Sequence, residues 1–387
     1  MNDELDPLAH AVALIRCPSV TPDQAGALDY AERQLAKAGF ACRRLRFVSE
    51  GLPEIDNLYA RIGEAPPHLC LAGHVDVVPV GDEAAWTSPP FAAEIRDGVL
   101  YGRGAVDMKG GIAAMLAAVF RYLHERQGKP RGSISFLLTA DEEGPAENGT
   151  RKLVDWMRER GEIPDICILG EPTHPSQIGE AIKIGRRGSL NGRLTVRGVQ
   201  GHVAYPDLTR NPLTGLIAAL NRIIEAPLDA GSDNFAPSNL EVTSVDTGNP
   251  AVNVVPAKAS AQFNIRFNEL HDAASLGGRL RALVEDSLAG SGLEHDLKLE
   301  SNADVFFTRP GAWVEMLIQA SAKVTGIRPV LSTDGGTSDA RFIKDICPVV
   351  EYGLVNRTIH KVDEHTSVAD LRELTEVYHE FMRCYFA

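Results

Sequence analysis

Length, composition and charge exclude several classes of protein. The chain has 387 residues, of which 44% are hydrophobic, so it can bury a large core and is long enough for two domains. Its formal net charge of -13 predicts repulsion from the phosphates of nucleic acids and from anionic membrane surfaces. We therefore expect no nucleic acid and no membrane among its partners.

Targeting signals and cysteine pairs are not evident in the sequence. The N-terminal residues carry acidic charges where a signal peptide would need an apolar core, and the longest apolar run, residues 111–120, is shorter than the ~20 residues that span a bilayer. The cysteines have no paired spacing; they are Cys17, Cys42, Cys70, Cys167, Cys347 and Cys384. We expect reduced cysteines in a cytoplasmic protein.

The first half of the chain alternates between helical and strand patterns. Helical periodicity opens the chain over residues 8–14 and 27–38, with Gly39 as a C-cap. Short apolar runs then predict strands at 57–60, 68–72, 133–138, 165–169 and 348–352, and helical patterns predict helices at 111–124 and 150–159. This order predicts an α/β fold with a mixed, mostly parallel sheet and helices on both faces.

A different pattern begins near residue 188. Alternating strands are predicted at 190–196, 240–245 and 258–267, with helices near 213–224 and 274–288. A helix at 313–324 and the strand at 348–352 then return to the first sheet. We expect a catalytic domain in two parts, residues 1–187 and 301–387, interrupted by an inserted α+β domain over residues 188–300.

Five motifs with acidic or histidine side chains follow the predicted strands or lie in the turn between them. They are Gly-His-Val-Asp at 73–76, the glycine-rich turn at 102–111, Ala-Asp-Glu-Glu-Gly at 140–144, Gly-Glu-Pro-Thr at 170–173 and Ile-His-Lys-Val-Asp-Glu at 359–364. Functional crevices of open α/β sheets lie outside the carboxyl ends of the strands, so we expect these side chains to converge. One such motif could be a helix cap or a turn; five together indicate a site.

The residue types in these motifs favour a two-metal hydrolytic site. Histidine and carboxylate ligands without cysteine suit zinc, and a carboxylate has two oxygens with which to bridge two ions. Asp76 stands two residues after His74, so in an extended chain its carboxylate could accept the second imidazole N–H. His74 by itself could equally be a core histidine.

The adjacent acids Glu142 and Glu143 can face one point only if the chain turns there. Gly144 and Pro145 supply such a turn. One glutamate could then bind metal while the other acts as a general base. The alternative interpretation is an acidic first turn of the helix near residue 150.

Other catalytic motifs are incomplete in this sequence. Gly102 and Gly104 match the start of a dinucleotide-binding fingerprint, but Asp107 stands where its third glycine belongs. A phosphate-binding loop and a Gly-x-Ser-x-Gly nucleophile motif are both missing. We therefore expect neither a nucleotide cofactor nor a serine nucleophile.

Taken together, the motifs resemble those of the aminoacylase and carboxypeptidase-G2-like zinc metallopeptidases. The resemblance runs nearly end to end and includes Gly-His-Val-Asp-Val-Val-Pro, Gly-Arg-Gly-Ala-Val-Asp-Met-Lys-Gly-Gly, Thr-Ala-Asp-Glu-Glu-Gly and Thr-Ile-His-Lys-Val. Within that family the chain is most similar to members that hydrolyse N-succinyl-LL-2,6-diaminopimelate to succinate and LL-2,6-diaminopimelate, for lysine and cell-wall synthesis. The alternative is an acetylornithine deacetylase or another N-acyl amino acid amidohydrolase, which would use the same ligands.

The resemblance implies two zinc ions per subunit, for which cobalt can substitute. The implied ligands are His74 and Glu171 for one ion, Glu143 and His360 for the other, and Asp107 as the bridge between them. His365 lies close to His360 in sequence and is the alternative ligand. By the same resemblance Glu142 is the general base, and a cis peptide bond follows Asp107.

The resemblance also implies a homodimer formed through the inserted domain. In it, His202 of the segment 199–206 would reach the active site of the partner subunit and stabilise the oxyanion. The implied contacts to an acylated amino acid substrate are Arg186, Ser189, Asn253, Arg266, Gly336, Thr337 and Asn356. Arg187 adjoins Arg186 and remains an alternative contact. The remaining alternative is an inactive relative that binds metal or a partner without catalysis. The presence of all implied ligands and of the base argues against it.

Overall fold

The structure is a computed structural model that describes residues 3–387. The α-helices are α1 (Pro7–Ile15), α2 (Ala27–Lys37), α3 (Lys109–Glu125), α4 (Thr150–Arg160), α5 (Pro212–Glu225), α6 (Ala273–Leu288), α7 (Ala312–Thr325), α8 (Ala340–Ile343) and α9 (Val368–Tyr385). None of the helices described is long and apolar enough to cross a membrane.

The strands range from two to ten residues in length. They are β1 (Ala41–Phe47), β2 (Ile55–Ile62), β3 (His68–His74), β4 (Glu94–Arg96), β5 (Val99–Tyr101), β6 (Ser133–Thr139), β7 (Ile166–Leu169), β8 (Ala181–Lys183), β9 (Gly185–Arg186), β10 (Gly188–Arg197), β11 (Gly201–His202), β12 (Asn239–Asp246), β13 (Val254–Val255), β14 (Lys258–Phe267), β15 (Glu294–Ala303), β16 (Phe306–Phe307), β17 (Val330–Ser332), β18 (Val349–Glu351) and β19 (His365–Ser367).

The chain divides into two compact units. The first unit holds the chain up to Ile184, together with Thr308–Ser332 and Ser338–Ala387. The second unit holds Gly185–Phe307 and Thr333–Thr337.

The first unit is built on a mixed sheet of eight strands in the order β1-β2-β6-β3-β7-β18-β8-β17. β3 pairs in parallel with β6 on one side and with β7 on the other. Every residue of β3 and of β6 is buried, as apolar runs in the middle of a covered sheet should be. These central strands therefore end at the same edge of the sheet, at His74 and Thr139.

Helices that cover the sheet of the first unit follow from local signals in the sequence. α1 begins at Pro7, and the side chain of Asp6 caps it by accepting a hydrogen bond from the amide of Leu8. α3 is rich in alanine and glycine and is buried on nearly all sides, where it packs against α1, α9 and β3. α2 packs on β1 and β2, and α4 packs on β6. This is the α/β architecture that the sequence predicts.

A small three-stranded sheet in the order β19-β5-β4 completes the first unit. β5 precedes the turn that carries Asp107, and β19 follows the segment that carries His360. Residue His365 of β19 pairs with Tyr101 of β5. The pairing ties together two segments that are far apart in sequence.

The second unit is an antiparallel sheet in the order β12-β14-β10-β15, packed against α5 and α6. β14 alternates between buried and more exposed residues, so one face of the sheet lies on the helices. The core includes Leu194, Leu216, Phe263 and Leu280. β9 pairs with β16, and β11 pairs with β13.

Several elements were not predicted from the sequence. β1 and β15 are rich in charged residues, which hides the apolar alternation of a strand. α9 was missed although Ser367 caps it and buried residues recur at helical spacing, including Leu371, Leu374 and Tyr378.

Candidate metal centre

Asp107 lies between two histidines of the first unit. Its Oδ1 atom is 3.2 Å from Nε2 of His74, and its Oδ2 atom is 3.2 Å from Nε2 of His360. The two oxygens of one carboxylate thus face two different imidazoles. This is the arrangement expected of a carboxylate that bridges two ions.

Each histidine has a second carboxylate next to the same nitrogen. Glu171 Oε1 lies 3.6 Å from Nε2 of His74, and Glu143 Oε1 lies 2.9 Å from Nε2 of His360. The structure therefore brings five residues into two overlapping groups, His74-Asp107-Glu171 and Asp107-Glu143-His360. Within each group, the ligand atoms lie within 4.8 Å of one another.

These donor groups fit divalent ions such as zinc. Zinc bonds of about 2.0–2.2 Å in a tetrahedral site place neighbouring donor atoms roughly 3.3 Å apart. The distances of 2.9 to 3.6 Å between the facing nitrogens and oxygens agree with that spacing. His365 belongs to none of the metal-competent groups found in residues 3–387; its Nδ1 bonds the carbonyl of Asp363, and its ring packs on Tyr101.

The cis peptide bond implied by the resemblance is present, between Asp107 and Met108. α3 begins directly afterwards, at Lys109. The start of α3 also approaches the end of β7 closely, because Gly111 faces the carbonyl of Gly170; a Cβ on Gly111 would lie 2.5 Å from that oxygen. The lack of a side chain at Gly111 therefore allows Glu171 to lie near Asp107.

The expected role of Asp76 needs a correction. Nδ1 of His74 donates to the backbone carbonyl of Asp76 at 2.9 Å, whereas the Asp76 carboxylate is 3.6 Å from Nδ1 and too far for a hydrogen bond. That carboxylate instead accepts from the amides of Glu142, at 3.3 Å, and Glu143, at 3.0 Å. Asp76 therefore shapes the turn that bears both glutamates, and His74 keeps Nε2 for a metal ion.

Glu142 and Glu143 both approach His74, with ligand atoms within 4.8 Å. They lie in the bend between β6 and α4, well before α4 starts at Thr150. The interpretation of this pair as the first turn of that helix is therefore wrong. Burial raises the pKa of Glu142 to about 8.

The charges of this cluster support one another. Hydrogen bonds that His360 donates to the carboxylates of Asp107 and Glu143 raise the pKa of His360 to about 10. Burial lowers the pKa of His74, but the bonds and charges of Asp107 and its other acidic neighbours outweigh burial and raise it well above its usual value. Excess carboxylates thus attract positive charge to this point, as they would attract divalent cations.

Sequence analysis missed the buried pair Arg103 and Glu364. Nη1 of Arg103 donates to Oε2 of Glu364 at 2.8 Å, and both side chains are almost completely buried. The available signal was a charged residue in each of two of the five motifs, Arg103 in the glycine-rich turn and Glu364 at the end of Ile-His-Lys-Val-Asp-Glu. Their pairing joins the turn that carries Asp107 to the segment that follows His360.

The remaining residues implied by the resemblance do not belong to this cluster. In the second unit, Nη1 of Arg186 donates to the carbonyl of Gly336 at 3.0 Å, next to Thr337. Ser189 of β10 pairs directly with Arg266 of β14. The other placements are Asn253 before β13 in the second unit and Asn356 in a short 3-10 helix of the first.

Two arginines of the second unit lie close together without a facing carboxylate among the residues described. Arg187 donates to Asn239 Oδ1 at 2.8 Å, and Nη1 of Arg266 is buried without a hydrogen-bond partner. Burial and the charge of Arg187 lower the pKa of Arg266. Such a group gains stability from an anionic ligand.

His202 is exposed in the second unit. Its Nδ1 accepts a hydrogen bond from the amide of Ala204 at 3.1 Å. Nδ1 is therefore unprotonated, which places the proton of the neutral ring on Nε2.

Comparison with known proteins places this geometry in a family. The model of peptidase family M20/M25/M40 matches residues 70–383. The succinyl-diaminopimelate desuccinylase of Methylorubrum populi is 55% identical over 388 residues, covering 100% of both chains. That of Rhodospirillum centenum is 55% identical over 382 residues, covering 99% of this chain and 98% of the relative.

Solved structures share the fold at low sequence identity. An M20 family metallo-carboxypeptidase from Sulfolobus solfataricus has a TM-score of 0.77 at 20% identity, covering 98% of this chain and 99% of its own. A dinuclear metal binding peptidase of the M20 family from Bacillus subtilis has a TM-score of 0.70 at 17% identity, covering 97% and 96%. By sequence and by fold, this chain belongs to peptidase family M20/M25/M40.

Proposed function

We propose that this chain hydrolyses the amide bond of N-succinyl-LL-2,6-diaminopimelate and releases succinate and LL-2,6-diaminopimelate, a precursor of lysine and of cell-wall peptides. The observation that carries the proposal is full-length identity of 55% to relatives named succinyl-diaminopimelate desuccinylase. The first unit adds donor groups suited to two cations, and the second adds closely spaced guanidinium groups suited to carboxylates.

The proposed metal ligands are the five residues that converge in the first unit. His74 and Glu171 would hold one zinc ion, Glu143 and His360 the second, and Asp107 both; cobalt would substitute for zinc. Support comes from the spacing of the donor atoms and from the two oxygens of Asp107, each of which faces a different histidine. When bound, the ions would supply Lewis acidity that lowers the pKa of water and polarises the amide carbonyl.

Glu142 is the proposed general base. Its burial raises its pKa to about 8, and the carboxylate lies within 4.8 Å of ligand atoms of His74 and Glu143. It would take a proton from the attacking water and return that proton to the leaving nitrogen. The raised pKa favours the first of these transfers, because it makes the carboxylate a stronger base.

The proposed substrate contacts are the residues implied by the resemblance. Arg186, Ser189, Asn253, Arg266, Gly336, Thr337 and Asn356 would bind the two ends of the substrate. The buried, unpartnered Nη1 of Arg266 supports a role in carboxylate binding. Arg187 remains an alternative to Arg186, although its Nη1 atom already donates to the carbonyl of Pro237 and to Asn239 Oδ1.

We further propose a homodimer, formed through an inserted domain over residues 188–300, in which His202 stabilises the oxyanion in the partner's active site. The proton on Nε2 of His202 gives it the donor that this role needs. Exposed apolar side chains in the second unit offer a surface for the partner; they include Tyr205, Leu208, Ile217 and Ile224. A cytoplasmic location agrees with six free cysteines.

Hydrolysis of matched substrates tests the proposal. Zinc-loaded protein should cleave N-succinyl-LL-2,6-diaminopimelate with a kcat/KM roughly 10–100-fold above that for the N-acetyl analogue and for N-acetylornithine, because the acetyl group leaves a guanidinium unpaired. Faster cleavage of N-acetylornithine would favour the deacetylase alternative. Zinc binding without hydrolysis of any acylated amino acid would favour an inactive relative.

A further inference from the structure

The carboxylate of Glu364 lies inside the turn formed by residues 102–107. Its Oε1 atom accepts hydrogen bonds from the amides of Val106, at 2.9 Å, and Asp107, at 3.0 Å. Its Oε2 atom accepts from the amide of Gly104, at 3.1 Å, and from Arg103, at 2.8 Å. Four donors of one short turn therefore converge on a single, fully buried side chain.

The backbone around Glu364 makes further contacts to the same turn. The carbonyl of Glu364 accepts from the amide of Gly102 at 2.9 Å. Arg103 also donates to the carbonyl of Lys361 at 3.1 Å, the residue directly after His360. Hydrogen bonds at both Lys361 and Glu364 thus join the segment that carries His360 to the turn that carries Asp107.

This arrangement fixes the residue that faces both histidines. Asp107 presents one oxygen to His74 and the other to His360, so a small rotation of its backbone would disturb both contacts. The amide of Asp107 itself donates to Glu364, which fixes the peptide plane from which the side chain projects. A charged acceptor is needed, because a neutral one could not receive four donors, one of them cationic.

We propose that Glu364 is a positioning residue that holds Asp107 in the orientation needed to bridge two divalent ions. It is not one of the proposed ligands and acts through the backbone of Asp107. The inference rests on the metal centre of the proposed function. It assigns a role to the last acid of the motif Ile-His-Lys-Val-Asp-Glu.

The affinity of the metal-free protein for zinc tests this role. Glu364→Gln keeps the size of the side chain but replaces one acceptor oxygen by an N–H donor that faces two donors. Zinc titration against a competing chelator should show affinity for the bridged ions reduced roughly 10–100-fold, as is typical when the partner of a ligand is lost.

Glu162→Gln is the matched control. Glu162 also pairs with an arginine, Arg61, and accepts from the hydroxyl of Tyr59, but it lies beyond the opposite edge of the sheet, near the start of β6. This variant should lose thermal stability and bind zinc as the wild type does. A loss of zinc affinity confined to Glu364→Gln would therefore separate positioning from general destabilisation.

Unchanged zinc affinity in folded Glu364→Gln would overturn the inference. If that variant does not fold because Arg103 is left unpaired, the double variant Arg103→Met with Glu364→Gln removes both charges. It should still bind zinc more weakly than wild type, and wild-type affinity in it would equally overturn the inference. The readout needs no substrate, so a wild-type chain that binds zinc but cleaves no acylated amino acid would overturn only the proposed function.

Discussion

The carboxylate of Asp76 accepts a hydrogen bond from the backbone amide of Glu143, 3.0 Å away. The carboxylate accepts a second hydrogen bond from the amide of Glu142. The backbone carbonyl of Asp76 accepts a hydrogen bond from Nδ1 of His74. Asp76 alone therefore orients the proposed base, Glu142, and two proposed ligands, His74 and Glu143. The two-residue spacing had suggested a different role, in which the Asp76 carboxylate bonds the imidazole of His74 directly.

Asp76→Asn should lower kcat because the amide nitrogen of asparagine would face a backbone N–H donor. We expect a loss of roughly 10–100-fold, the range typical of groups that orient metal ligands. Steady-state kinetics at saturating zinc would measure it. Asp165→Asn alters a carboxylate that accepts from the amide of His68 at the opposite end of β3, and this variant should leave kcat unchanged. Equal losses in the two variants would contradict a specific role for Asp76.

Glu142→Gln should abolish turnover while metal binding is retained. Glutamine cannot accept the proton of the attacking water, and general-base catalysis typically contributes about 10²–10⁴-fold to the rate. Metal analysis of the purified variant, alongside its kcat, would check both halves of the prediction. Activity near that of the wild type would reassign the base.

His202→Ala should reduce kcat by roughly 10²–10³-fold through loss of an oxyanion donor. Its Nδ1 is occupied by the amide of Ala204, so only Nε2 can donate. Zinc content should not change, since His202 lies in the second unit and the proposed ligands lie in the first. His295→Ala, at another exposed histidine of the second unit, is the control and should retain full activity.

How much of this molecule is predictable from sequence depends on the range of the interactions involved. β14 was predicted with its observed bounds because strict alternation is a local signal. The convergence of the five acid- and histidine-bearing motifs was predicted from their position after apolar strands or in the glycine-rich turn between them. In contrast, the bonds that the Glu364 carboxylate accepts join residues 257 to 261 positions apart in sequence, and no local pattern encodes them.

The role of Asp76 shows the same limit within a single motif. Spacing placed its carboxylate near His74, and the structure does so, at 3.6 Å. The choice between the imidazole and the amides of Glu142 and Glu143 depends on where the bend after β6 lies, which is a tertiary property. Residue type and spacing thus predicted the neighbourhood correctly and the hydrogen bonds incorrectly.

Gly111→Ala should destabilise the first unit. Alanine normally stabilises a helix relative to glycine by about 1 kcal/mol, but here the added Cβ would lie 2.5 Å from the carbonyl oxygen of Gly170. We expect a net loss of roughly 1–3 kcal/mol from overpacking. Gly278→Ala in α6 is the matched control. A Cβ there meets nothing within 4 Å, so this substitution should stabilise the helix. In thermal unfolding, the melting temperature should fall for Gly111→Ala and rise for Gly278→Ala.

Acid should destabilise the first unit through His68. Burial, followed by the nearby charge of Arg61, lowers the pKa of His68 to about 4, and its ring bonds Ser135 and the carbonyl of Ile163. An unfolded chain would protonate this histidine near pH 6.5, so between about pH 6.5 and 4 the unfolded state binds the extra proton. The free energy of unfolding should therefore fall as the pH falls through this window, by up to about 1.4 kcal/mol per pH unit from this group.

His68→Gln removes that titration, so its melting temperature should depend less on pH between about 6.5 and 4 than that of the wild type, even if the variant is less stable at pH 7. His124→Gln, at an exposed position of the first unit, is the control for replacing a histidine by glutamine. Thermal melts of the three proteins across this range supply the measurement. Parallel curves for wild type and His68→Gln would mean that His68 takes up its proton equally in the folded and unfolded states. The burial of its ring and its bond to Ser135 argue against that result.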